Sequence, residues 1–442
     1  MTVTPRLLAA LFLGTVWGSS SSVTTPSSYL AQFQPGTSAA VRAAHLAAAG
    51  AEAELEVTRS FAIGESFRGY AFSVRDTAAA AAVLARLRGS GAVKLVERDV
   101  ALKLKRVGGG SRSYRAHGGA DAPPAPPAPP PTLPAAANGT CVTQSNVPSW
   151  GLARITQASI KGGVKGDMRY VSGVGAGVDL FVMDTGVRVT HHEFGGRASF
   201  AFNAAGGKVD TDHDGHGTFV AGVAAAATYG VCKACRVRSV KVFTDGGDCS
   251  AAILIAGFQW IAEHHANKTR RAGNGTATAT VINVSVGGDP GETSDAMDAA
   301  VNALVAMGVH VVGAAGNENV AACTESPSRA AGIVSVGSSM ILTQTMDFFL
   351  GGSNFGKCVK LFAPGDQIVS IGAASDIAKD VVDSGTSFSS PHVAGALARL
   401  ASQHPASSLA EVQALLLNMT LKGVIGGVPK GTANKLLHKA CL

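Results

Sequence analysis

From residue 149 onward the chain alternates short apolar runs with stretches of helical periodicity, and this restricts its fold more than any other feature. The runs GVDLFVMD (177–184), RSVKVF (238–243), TVINVSV (280–286) and VHVVGAA (309–315) are close to continuously apolar, as strands buried on both faces must be. Between them, 251–265 and 294–307 repeat apolar residues at helical spacing, with Ile253, Ala256, Trp260 and Ile261 among the apolar positions of the first. Such alternation over about 300 residues specifies an α/β class, an open, mostly parallel sheet with helices on both faces. Ligands and catalytic groups then gather beyond the carboxyl ends of the strands.

A chain of 442 residues exceeds one ordinary core, so a second unit is expected. Residues 28–104 supply it. Strand-like 28–33, helical 38–49, strand-like 55–61 and 67–74, helical 77–88 and strand-like 92–97 follow in the order β-α-β-β-α-β. That order predicts a small α+β, ferredoxin-like domain. Residues 105–140 then break the pattern, with eight of the 18 prolines between Pro123 and Pro134. We read this segment as a stiff polyproline linker in preference to an SH3-type docking site.

The first 20 residues have the form of a signal peptide. Arg6 precedes the apolar run 7–17, and Gly18, Ser19 and Ser20 offer a cleavage site. Eleven apolar residues are too few to span a bilayer, so the expectation is a secreted, soluble protein without a membrane partner. The formal charge of +7 comes almost wholly from residues 1–140, which hold 14 Lys/Arg against 8 Asp/Glu; the rest hold 23 against 22. The larger unit therefore offers no basic groove for nucleic acid. Seven cysteines suit an oxidising compartment, and their odd number leaves one thiol over. Cys232 and Cys235 form a C-x-x-C without a second pair at zinc spacing, so a zinc site is not expected. Glycosylation sequons begin at Asn138, Asn267, Asn274, Asn283 and Asn418, and Asn283 lies in an apolar run.

Three residues satisfy the strand-end rule. Asp184 closes an apolar run before Thr185-Gly186, His216 enters a helix in DGHGTFVAGVAAAA, and Ser387 enters another in DSGTSFSSPHVAGALARL. A serine hydroxyl is a weak nucleophile near neutral pH. It needs an imidazole to take its proton and a carboxylate to hold that imidazole in the right tautomer. The chain order Asp–His–Ser is that of subtilisin, and G-T-S-F-S is not the hydrolase elbow G-x-S-x-G.

DTGVRVTHHEFGGRA (184–198), HGTFVAG (216–222), AAGNEN (314–319) and SGTSFSSPHVAG (384–395) together resemble the subtilisin-like serine proteases, nearest the proteinase K branch. WGLARI (150–155) looks like the start of that branch's mature enzyme. The resemblance covers 148–442, and 28–104 look like the family's inhibitory propeptide. It implies a secreted endopeptidase made as an autoinhibited precursor, with protein and peptide substrates, no cofactor for catalysis, and a monomeric state. Ser387 would be the nucleophile, His216 the base and then the acid, and Asp184 the group that orients His216. Asn317 and the Ser387 N–H would form the oxyanion hole. Ser285, Val286, Gly287, Ala315 and Gly316 match the walls of the primary specificity pocket. None is charged, so an apolar or aromatic P1 side chain is expected. By the same analogy, 246–248 would pair with the substrate backbone, and Cys323 with Cys358 would form a disulfide.

The chain also departs from the family pattern. Phe219 stands where the family commonly has a second histidine. Lys360 and Val424 stand where the branch places calcium-binding aspartates, so those structural calcium sites are expected to be lost. Asp210, Asp212 and Asp214 begin a D-x-D-x-D-G pattern, but Ala221 replaces the closing glutamate, so a solvated acidic loop is the plainer reading. His191-His192 and His264-His265 are adjacent pairs that do not converge on one ligand. The alternatives are a catalytically silent homologue that only binds, or an independent adhesion or inhibitor module at 28–104.

Overall fold

The computed structural model describes residues 27–105, 140–158, 166–207, 210–272, 279–343, 346–349, 352–439 and 441. The leader at 1–20 and nearly all of the proline-rich linker lie outside the described residues.

The N-terminal unit is a four-stranded antiparallel sheet in the order Leu55–Ile63, Phe67–Val74, Ser27–Phe33, Val93–Arg98. Helices Ala39–Gly50 and Thr77–Gly89 cover one face. Ser38 and Asp76 start them by accepting the N–H groups of Val41 and Ala78. Two-residue alternation sorts the side chains. Tyr29, Ala31, Phe33, Tyr70, Phe72 and Val74 pack beneath the helices. Leu30, Ala71, Ile63 and Phe67 join a second core with Ile255, Phe258, Met297 and Val301 of the larger unit. The sheet is thus covered on both sides, once by its own helices and once by its neighbour.

The larger unit carries an eleven-stranded sheet among the described residues. Its parallel centre runs Ala198–Asn203, Arg236–Lys241, Asp179–Asp184, Thr280–Val284, His310–Ala314, Val334–Thr343, Val359–Pro364. In the central strand Asp179–Asp184, Leu180 and Val182 face one core and Phe181 and Met183 the other. This is why its sequence is apolar without alternation. Helices His216–Ala225 and Thr386–Gln403 belong to the first core, and Ala251–Ala272 and Asp295–Ala306 to the second. The chain leaves the central strand for one side of the sheet, returns, and continues on the other. That reversal opens the crevice at its carboxyl end.

Disulfides join Cys141 to Cys441, Cys232 to Cys235 and Cys323 to Cys358, leaving Cys249 as a buried thiol. Among the described residues, no helix is long and apolar enough to cross a membrane. Asn283 is buried, Asn267 and Asn418 are exposed, and Asn138 and Asn274 lie outside the described residues.

Candidate active site

Asp184 is the last residue of the central strand and is fully buried. Its Oδ1 accepts Nδ1–H of His216 at 2.8 Å and the N–H of Thr185 at 2.8 Å. A carboxylate at Nδ1 fixes the proton there and leaves Nε2 as the basic nitrogen. That nitrogen is buried with no hydrogen-bond partner among the described residues.

The helix that carries His216 is apolar on every side, so burial fixes its position. Gly215, at φ +95°, turns the chain into it without a capping side chain. Asp212 does the capping from outside. Its Oδ2 accepts the N–H and hydroxyl of Thr218, and its Oδ1 accepts the Gly215 N–H and the Thr185 hydroxyl, at 2.6–2.8 Å. Thr185 Oγ1 in turn accepts the Gly217 N–H at 3.0 Å. Burial raises the Asp212 carboxyl above its ordinary pKa, against these four donors.

With both its oxygens filled by protein donors, Asp212 has none to offer a cation. Asp210 and Asp214 are exposed, as a solvated acidic loop requires, while Asp212 alone is buried. Asp214 Oδ1 likewise accepts the His216 N–H at 3.0 Å. Among the described residues, no group of three or more His, Cys, Asp or Glu is placed to hold a metal ion.

Ser387 is the second residue of helix Thr386–Gln403, after Gly385 at φ +146°. Its backbone N–H therefore belongs to the first turn, where no helical acceptor exists. Four residues on, Pro391 has no N–H to return to the Ser387 carbonyl, and Ser285 Oγ donates to that carbonyl instead, at 3.0 Å. Asn317 Oδ1 accepts the N–H and hydroxyl of Thr386 at 2.9 and 3.0 Å. This leaves the buried Asn317 Nδ2 without a partner among the described residues. Phe219 packs on Phe388 at 4.5 Å between ring centroids, and Phe388 also meets the His216 ring at 5.4 Å. Phe219, at the position where the family has a histidine, thus helps seat His216 beside the helix that carries Ser387.

No hydrogen bond joins His216 to Ser387, because the serine hydroxyl is engaged elsewhere. Strand Ala101–Leu104 of the N-terminal unit lies between two short strands of the crevice. Leu102 pairs with Cys249 and Ala101 with Ser250, while Leu104 pairs with Val286 and Lys103 with Gly287, all antiparallel. Lys105 follows, its N–H on the Ser285 carbonyl at 3.2 Å. The Lys105 carbonyl oxygen accepts Ser387 Oγ–H at 2.5 Å and the Ser387 N–H at 3.3 Å. On one side the pairing differs from expectation: 246–248 lie in the turn between Thr244 and Asp248, and Cys249 and Ser250 make the ladder.

The walls named from the sequence are uncharged, and Gly287 lies against the Lys105 side chain, since a Cβ there would meet Lys105 Cε at 2.7 Å. The far end, however, is acidic. Lys105 Nζ donates to Glu318 Oε1 and Glu325 Oε2 at 2.8 Å each, and to the Gly288 carbonyl at 2.6 Å. Lys105 is 2% exposed and Glu325 1%. Asn354 Nδ2 bridges the two carboxylates at 2.9 and 2.8 Å, and Glu318 Oε2 also accepts the Asn317 N–H at 2.6 Å. Burial pushes the Glu325 carboxyl up to about 7, against the pull of the Lys105 ammonium. Gly316, at φ +107°, provides the space: a Cβ there would lie within 2.7 Å of Asn354, Glu318 and Glu325. The sequence held a partial signal, since Glu318 adjoins Asn317 within AAGNEN and Glu325 follows Cys323 by two residues.

Residues 175–438 match the family model described as the Subtilase family, Peptidase_S8. The chain belongs to the subtilase family. This subtilase is 40% identical over 291 residues to isp6, a subtilase-type proteinase of Schizosaccharomyces pombe (strain 972 / ATCC 24843), covering 66% of this chain and 59% of that one. It is 37% identical over 303 residues to the subtilisin-like serine protease Pen ch 18 of Penicillium rubens, again covering 66% and 59%. It therefore spans about three fifths of the length of these relatives. A solved structure described as a cold adapted subtilisin-like serine proteinase matches with a TM-score of 0.57 at 35% identity, covering 66% of this chain and 98% of that one.

Proposed function

We propose that this subtilase is a secreted serine endopeptidase made as a precursor that its own N-terminal unit inhibits. The observation that carries the reading is the Lys105 carbonyl held against Ser387 at the end of a strand paired on both edges. An extended substrate would bind by the same strand addition. Ser387 attacks the carbonyl carbon while His216 Nε2 takes the hydroxyl proton, and Asp184 stabilises the resulting imidazolium. The oxyanion forms at the Ser387 N–H, where unpartnered Asn317 Nδ2 supplies the second donor. His216 then protonates the departing amine, and water releases the acyl-enzyme by the same steps. No step calls for a cofactor.

In the precursor the residue before the scissile bond is Lys105, so the first cut falls between Lys105 and Arg106. Export is supported by the leader-like residues 1–20 and by three disulfides. Labelling by a serine-directed fluorophosphonate tests the reading against a silent binding homologue. The mature form should take one label, lost in Ser387→Ala. A folded, matured wild-type enzyme that takes no label overturns it.

A further inference from the structure

We propose that Glu318 and Glu325 make this peptidase select lysine at P1, ahead of arginine and far ahead of apolar residues. The inference rests on the peptidase reading above and adds its substrate class. Three acceptors meet the Lys105 ammonium: one oxygen from each carboxylate and the Gly288 carbonyl. An ammonium has three hydrogens, so each finds a partner and none is left unpaired in a buried site. Guanidinium is a flat fork of five donors on a longer reach, and three acceptors converging on one nitrogen do not match it. Leucine or phenylalanine would leave buried Glu325 facing half-buried Glu318 with no cation between them, which is the costly arrangement for paired charges.

The site is also built as a unit. The remaining carboxylate oxygens are taken by Asn354 Nδ2 and the Asn317 N–H, and the network fits only because Gly316 has no side chain. Glu318 therefore touches the substrate ammonium with one oxygen and orients the backbone of the oxyanion-hole asparagine with the other. Reading the side chain and stabilising the oxyanion share one carboxylate.

The test begins with the full-length chain, left to mature. Lys105→Arg should still yield an N-terminus at Arg106, more slowly, and Lys105→Leu should slow its appearance by ~10²-fold or more. Enzyme matured from the wild-type chain is then given quenched peptides that differ only at P1. Lysine should exceed leucine and phenylalanine in kcat/KM by ~10²-fold or more, with arginine between. Glu325→Gln should remove most of that ratio, and fluorophosphonate labelling reports whether the variant has folded. Butylammonium should inhibit the wild type competitively where butanol does not, which requires no variant. The ratio of lysine to leucine cleavage should also fall as pH drops and Glu325 gains its proton. An enzyme that takes the label but cleaves after leucine or phenylalanine as well as after lysine overturns the specificity alone. A chain that neither takes the label nor cleaves any peptide overturns the peptidase reading, and this one with it.

Discussion

The carbonyl oxygen of Lys105 accepts both the hydroxyl and the backbone N–H of Ser387, at 2.5 and 3.3 Å. Under the proposed function, this contact is a precursor presenting its own chain to the nucleophile in the register of a substrate. Ser387→Ala, made in a purified and protease-free system, should therefore remain uncut, while the wild type acquires an N-terminus at Arg106. Peptide hydrolysis should fall by ~10⁶-fold, a magnitude taken from subtilisin itself. N-terminal sequencing of both proteins decides the point, and a matured Ser387→Ala chain would refute self-processing.

The sequence made the sheet and the candidate triad legible for different reasons. Asp184, His216 and Ser387 each end an apolar run or open a buried helix, so local pattern places them at the crevice. Glu318 and Glu325 carry no such signal. They act together only because Asn354, 29 residues beyond Glu325, holds both. The named pocket walls are backbone-defined and uncharged, which pointed toward an apolar P1. Asp212 was legible as an acid but not in its role, since its four donors come from three residues, and one of these, Thr185, lies 27 residues away in the chain. Strand pairing along 246–250 was misplaced by a few residues because a turn between Thr244 and Asp248 takes up the first of them.

Two carboxylates of the N-terminal unit complete helices of the peptidase unit. Glu97 accepts the Ser294 hydroxyl at 2.5 Å and the N–H groups of Asp295 and Ala296 at 3.0 and 3.1 Å. Asp99 accepts the Ala252 N–H at 2.8 Å and the Ser250 hydroxyl at 2.9 Å. These are first-turn donors without helical partners, and a negative charge there also meets the positive end of the helix dipole. In the Ser387→Ala precursor, Glu97→Ala should lower unfolding stability by about 1–3 kcal/mol, with Glu97→Gln between. Urea unfolding measures it; an unchanged midpoint would mean that water replaces the carboxylate without loss.

Two buried histidines make stability depend on pH. Burial pushes His392 and His310 down to about 4, and His265 adds to the effect on His310. His392 Nδ1 bonds the Phe388 carbonyl at 2.7 Å, and its Nε2 has no partner among the described residues. A folded-state pKa below the unfolded value gives a contribution that is complete above about pH 6.5 and is lost as pH falls toward 4. Each histidine accounts for on the order of 3 kcal/mol across that window. Asp298, raised to about 6 chiefly by burial, acts in the opposite sense, so the informative quantity is a difference between proteins. The stability gap between Ser387→Ala and Ser387→Ala/His392→Gln should shrink as pH drops from 7 to 4.5. A gap independent of pH would mean that His392 is already protonated or is solvated in the fold.

Asp212 bears on whether calcium stabilises this subtilase. Calcium takes 6–8 oxygen ligands, and carboxylates supply most of the compensating charge. Lys360 and Val424 offer none at the positions where the proteinase K branch has aspartates, and Asp212 spends both its oxygens on Thr185, Gly215 and Thr218. To bind an ion there, the loop would have to release donors that hold the first turn of the His216 helix. Thermal unfolding in excess calcium and in chelator should therefore give midpoints within ~2 °C, whereas a calcium ion present at 100 times its Kd would add about 2.7 kcal/mol. Asp212→Asn should behave differently from the loss of a ligand. It converts one acceptor oxygen into an NH2 that must face either the Thr218 N–H and hydroxyl or the Gly215 N–H and Thr185 hydroxyl, donor against donor, so stability should fall by about 1–3 kcal/mol with or without calcium. Activity should fall with it, because the same bonds place His216. A large calcium-dependent rise in midpoint that Asp212→Asn abolishes would show that the loop binds the ion after all. If the rise survives in Asp212→Asn, the ion sits elsewhere, and Lys360 and Val424 have not removed every calcium site.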